Sequence, residues 1–247
     1  MKHLMFGLAA ASAMLLAQSA QQPTADEIKD LTAIQQKQIT SVADADARMA
    51  AIDQFVAKYP NSPLRGFALT MAGEAAQMKR DSARARFYYE RAIQADPTSD
   101  YAMIMLGAEI AQNTGEHDLD KKEKLARAEK LARDAMELIQ KRTRQPNESQ
   151  ADFDASAKAD TGRAHMTLGL VAMADQRHEE AGREFLLAAE TDAVNLLRAG
   201  MAFNNARKFE EANKALDQFI ALPGLPDQFK QMAQEEKKRG ELLRNQK

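Results

Sequence analysis

Any chemistry in this chain must come from histidines, carboxylates or hydroxyls, because its 247 residues include no cysteine. The four histidines, His3, His117, His165 and His178, are scattered. A metal or acid–base centre needs clustered ligands, and no histidine has a partner at ligand spacing within one helix except His117, with Asp118 and Asp120. That trio lacks the glycine and the regularly spaced oxygens of a calcium loop, so it reads as a solvated turn. No nucleophile motif, glycine-rich phosphate loop or carboxylate pair stands out. Asn147-Glu148-Ser149 fits a glycosylation acceptor, which carries little weight in a chain of bacterial style. The residues predict no enzyme activity, no metal and no cofactor, and no small-molecule substrate is evident.

Charge narrows the partners. Lys and Arg number 34 against 36 Asp and Glu, a formal net charge of -2, which leaves no field to draw the protein to nucleic acid or anionic lipid. Tryptophan is absent and helix formers dominate, so an all-α chain without strands is expected.

The N-terminus differs in kind. Lys2 and His3 lead into an apolar run from Leu4 to Leu16, and Ala17-Gln18-Ser19 offers a small-x-small site, so residues 1–19 read as a signal peptide cleaved before Ala20. The run is shorter than the roughly 20 apolar residues of a membrane span. With no cysteine there is no disulfide framework and no lipid attachment, so the mature chain is expected without a membrane anchor, periplasmic or secreted.

What positions the remaining residues is a recurrence. Gly73, Gly169 and Gly200 are each followed twelve residues later by an alanine, Ala85, Ala181 and Ala212, and four residues after that by Tyr89, Phe185 or Leu216. Gly107 comes 34 residues after Gly73, but its alanine, Ala128, is 21 residues on, so nine residues have been inserted. A small residue in one helix, an alanine in the next and a large residue one turn later are the signature of stacked helical hairpins.

The chain divides accordingly. Thr24 is an N-cap candidate for a helix to about Thr40, and a second helix runs from about Asp44 to Lys58, giving a diverged hairpin over 24–60. Ala51-Ile52-Asp53-Gln54-Phe55-Val56-Ala57 recurs as Ala215-Leu216-Asp217-Gln218-Phe219-Ile220-Ala221. Repeat units follow at 64–99, at 100–140 with a polar insertion at 114–123, at 156–192 and at 193–225. The polar stretch 141–155, with Pro146-Asn147, reads as an exposed linker that splits the array in two, and 226–244 as a capping helix with a wettable outer face.

These units resemble tetratricopeptide repeats. The resemblance rests on Leu69, Ala72-Gly73, Ala76, Ala85, Tyr89, Ala92 and Pro97, on His165, Leu168-Gly169, Ala172, Ala181, Phe185 and Ala188, and on Leu196, Ala199-Gly200, Phe203, Ala212 and Leu216. No unit has the family's large tryptophan; His165 stands at a packing position. The resemblance implies a right-handed all-α solenoid whose first helices line a concave groove that binds a protein or peptide. It implies that the groove is lined by Phe67, Thr70, Glu74 and Gln77, by Tyr101, Ile104, Ala108 and Ala111, by Arg163, Met166, Leu170 and Met173, and by Val194, Leu197, Met201 and Asn204. Family members that grip a chaperone's carboxylate tail use lysine and asparagine three before and one after the glycine. Here those sites hold Thr70, Ile104, Met166 and Leu197, and Glu74, Ala108, Leu170 and Met201, so that clamp is missing. The lining suits an apolar or amphipathic helix instead, since thioethers repack around varied ligands. Two alternatives stand beside this: the same residues as ordinary core, and the repeats as a rigid spacer of an envelope assembly that binds through its convex face.

Overall fold

The structure is a computed structural model that describes residues 22–246. The expected signal peptide, residues 1–19, lies outside the described residues. Eleven helices and no strand make up the described chain: α1 (Ala25–Gln35), α2 (Val42–Lys58), α3 (Arg65–Met78), α4 (Ser82–Ala95), α5 (Asp100–Gln112), α6 (Lys121–Lys141), α7 (Gln150–Ala174), α8 (His178–Ala189), α9 (Asn195–Asn205), α10 (Phe209–Ile220) and α11 (Asp227–Asn245). They stack in chain order as hairpins, an all-α solenoid.

Local chemistry sets most helix ends. The Thr24 hydroxyl accepts from the Glu27 amide while the Glu27 carboxylate accepts from the Thr24 amide at 2.6 Å, a reciprocal cap on α1. α1 ends at Gln35, short of the expected Thr40, because the Thr40 and Ser41 hydroxyls both donate to Asp44 and build the start of α2 instead. The turn inside a hairpin repeats with unusual fidelity. Arg80, Gln176 and Arg207, each seven residues after its repeat glycine, adopt left-handed φ angles of 57°, 60° and 58°. In all three the following amide reaches back to a carbonyl in the last helical turn: Asp81 to Ala76, Arg177 to Ala172 and Lys208 to Phe203. This is the Schellman ending, which glycine favours and these side chains oppose. Arg80→Gly is therefore expected to stabilise the protein by about 0.5–1 kcal/mol, read as a raised urea midpoint; an unchanged or lowered midpoint would contradict the assignment.

Between paired helices the small residues are obligatory. A Cβ on Gly73 would stand 2.5 Å from the Tyr89 ring, one on Gly169 2.6 Å from Phe185, and one on Gly200 2.5 Å from Leu216. Each large side chain thus fills the hollow left by the glycine opposite it, which is why the two recur together.

Two sequence expectations are corrected. Residues 141–155 are not a linker: α6 runs to Lys141, α7 starts at Gln150, and only 142–149 lies between them. Nor are two halves free to flex there. α5 lies directly against α7, with Gly107 on Thr167 and the buried Thr167 hydroxyl donating to the Ile104 carbonyl at 3.3 Å. Val171 accordingly joins the same core as Leu106, Ile110, Leu125 and Ala128. The insertion, expected at 114–123, is part loop and part helix, since Lys121, Lys122 and Glu123 form the first turn of α6.

Candidate functional site

The first helices of the hairpins, α3, α5, α7 and α9, followed by α11, carry the positions expected to line a groove. Burial divides them. Phe67 (49% exposed), Val194 (44%) and Met201 (41%) face solvent, as does Arg163. Glu74, Gln77, Tyr101, Met166, Leu170 and Met173 are half-buried. Thr70, Ile104, Ala108, Ala111, Leu197 and Asn204 are buried and are corrected from groove lining to interior residues. The reasons differ. Thr70 turns its hydroxyl back to the Gly66 carbonyl at 2.9 Å. Ile104 is closed over by α7, packing with Ala135, Ile139 and Ala164. Leu197 joins Leu216, Phe219 and Ala233, and the Asn204 amide donates to the Glu236 carboxylate at 2.7 Å, so α11 covers both.

What remains has two characters. Across α3 and α5 the face is polar and internally bonded. The Tyr89 hydroxyl donates to Gln77 at 2.8 Å, the Gln77 amide donates to Glu109 at 2.7 Å, and the Asn113 amide donates to the other Glu109 oxygen at 3.2 Å. Tyr101 donates to Glu74 at 2.9 Å, and burial, reinforced by the Glu74 charge, pushes its phenol well above the usual range. Burial does the same to Tyr89. Across α7 and α9 the face is apolar: Met166, Leu170 and Met173 pack on Ala199, Ala202 and Phe203, while Met201 stays open. Unlike α5 and α7, the backbones of α7 and α9 have little direct contact, and the half-buried Met166, Leu170 and Met173 side chains lie between them.

An ion cluster at the joint escaped sequence reading. Arg142 donates to Asp100 at 2.7 Å and to Asp160 at 2.8 Å, Asp160 also accepts from Arg163 at 2.7 Å, and the Arg163 guanidinium lies 5.4 Å from the Tyr101 ring centre. No periodicity signals these pairs, because their members are separated by 42 and 18 residues.

Among the residues considered for chemistry, Asp118, Asp120 and His165 are held in structural pairs. Asp118 and Asp120 both accept from the Lys124 ammonium, at 2.8 and 2.9 Å, which holds Asp118 below the usual carboxylate range. His165 Nδ1 lies 2.7 Å from the Glu184 carboxylate on α8. On the side of the second helices, a cleft of about 450 Å³ is bounded by Arg86, Phe87, Glu90, Lys124 and Arg127, and Phe87 is half-exposed beneath Arg91.

The tetratricopeptide repeat family model matches residues 195–223. That span covers α9, α10 and the turn between them. Among curated proteins none matches the chain in sequence. Among solved structures, the assembly chaperone of RpL4 (Acl4, residues 1–338) aligns over 89% of this chain and 97% of its own at 14% identity and a TM-score of 0.41. The matched repeat, the recurring glycine and large-residue contacts and the shared left-handed turn together describe a chain built of TPR-like helical repeats.

Proposed function

We propose that the protein is a non-enzymatic adaptor, exported to the periplasm or beyond, that receives a helix of a protein partner on the face formed by α7 and α9. The observation that carries this is the apolar face of those helices, where half-buried Met166, Leu170 and Met173 lie beside exposed Met201 and Val194. Thioether side chains on a fixed scaffold can repack around a ligand at little cost. Nucleic acid has no place in this reading, since the formal net charge is -2. A second reading, a spacer that binds through its convex side, draws on half-exposed Phe87 at the cleft between α4 and α6.

The two readings predict opposite results. Mature protein from Ala20 is used to capture partners from periplasmic extract, beside Met201→Glu and Phe87→Glu variants whose helicity is checked by circular dichroism. Met201→Glu is expected to weaken capture by at least about tenfold, as a charge in a buried hot spot does, with Phe87→Glu unaffected. The reverse pattern would sink the adaptor reading in favour of the spacer.

A further inference from the structure

The charges on the inner helices are sorted along the array. α3 and α5 carry the carboxylates Glu74, Asp100 and Glu109, and their only cation is Arg65 at the outer end of α3. Asp100 is neutralised by Arg142. Glu74 and Glu109 have no cation within ion-pair distance among the described residues; their oxygens meet only a phenol and two amides. At the far end the sign reverses. Arg198 is the only charged residue of α9, and among the described residues its guanidinium meets the Asn195 amide oxygen, at 2.7 Å, and no carboxylate. Arg198 lies three residues before exposed Met201, so the two are neighbours on one helix surface. Between these ends lie Met166, Leu170 and Met173, with Arg163 already balanced by Asp160. Uncompensated half-buried charge in a low-dielectric groove is costly, and a partner of opposite charge relieves that cost while fixing its own register.

Resting on the adaptor reading above, we propose that the partner helix has segregated charge: a basic end over half-buried Glu74, an apolar middle on Met166, Leu170 and Met201, and an acidic end at Arg198. Of the four first helices only α5 and α7 pack directly, so their span exceeds three packed steps of about 8–10 Å and calls for a partner helix of at least about 20 residues.

Two labelled 20-residue synthetic helices of identical composition test this by fluorescence anisotropy. One carries glutamates at its N-terminal end, a leucine stripe and lysines at its C-terminal end, the order that suits the helix dipole; in the other the charges alternate. The segregated peptide is expected to bind about tenfold tighter at low salt, and the gap should close as salt is added. Glu74→Gln with Arg198→Gln should remove the preference, so that the two peptides bind the variant with equal affinity. Equal affinity of the two peptides, or a preference that survives in the double variant or at high salt, overturns the charge assignment. If both bind equally and Met201→Glu abolishes both, the groove stands and only the sorting of charge falls. Binding of neither peptide counts against both proposals.

Discussion

Phe185→Ala is expected to lower the unfolding free energy by about 3–5 kcal/mol, the usual cost of deleting a fully buried aromatic side chain. Phe185 is 2% exposed, lies in the hollow over Gly169, and holds α8 to the core that α7 and α9 share through Ala172, Ala199 and Phe203. Globular stabilities of about 5–15 kcal/mol make this a loss of much of the total. In a stack where each hairpin touches only its neighbours, the damage should stay local. Amide exchange is therefore expected to accelerate in α7–α10 and to change little in α1–α4. The fourth unit supplies the control. Leu216 fills the same place over Gly200, so Phe185→Leu should cost under about 1.5 kcal/mol. Urea titration of the three proteins decides it: an alanine variant within 1 kcal/mol or so of the parent would show that the hollow collapses without its filler.

Arg142→Ala should cost about 2–4 kcal/mol, because it strands Asp100 and removes one of two partners from Asp160, both carboxylates that the fold has largely withdrawn from water. The Asp100 and Asp160 side chains are only 14% and 11% exposed, and among the described residues Arg142 is the sole cation on Asp100. Asp160 keeps Arg163, so Asp100 bears most of the loss. The double variant Arg142→Ala, Asp100→Asn removes the orphaned charge and is expected to recover a third or more of the loss, a coupling of about 1 kcal/mol in a double-mutant cycle. Because the cluster ties the end of α6 to the start of α5 and to the first half of α7, the variant should also expose the amides of 142–160 to faster exchange. An additive cycle, with no recovery, would mean that the carboxylates rehydrate freely once the arginine is gone.

Helix periodicity and the glycine spacing were enough to locate the hairpins, and the same local signals failed where contacts run between distant residues. The stretch 141–155 is polar and contains Pro146-Asn147, which locally argues for a linker. Yet α7 begins within it, because the Ser149 hydroxyl caps the Asp152 amide, and Arg142 closes the gap by ion pairs. The groove positions show the same division. Ile104 and Met201 sit on the inner face by the same periodic rule, three before and one after a repeat glycine. Ile104 is fully buried and Met201 is open. Periodicity states the angle of a side chain around its own helix and says nothing of how near the next helix lies. That distance depends on residues such as Gly107, whose missing side chain leaves room for Thr167 and lets α5 and α7 meet, and on α11, which closes over Leu197 and Asn204. The amino-acid sequence by itself determined the helices and the glycine contacts of three hairpins, Gly73 with Tyr89, Gly169 with Phe185 and Gly200 with Leu216, since these depend on residues close in the chain. Which inner-face residues stay open to a partner was decided only by the tertiary structure, through the spacing between helices whose contacts are set from afar.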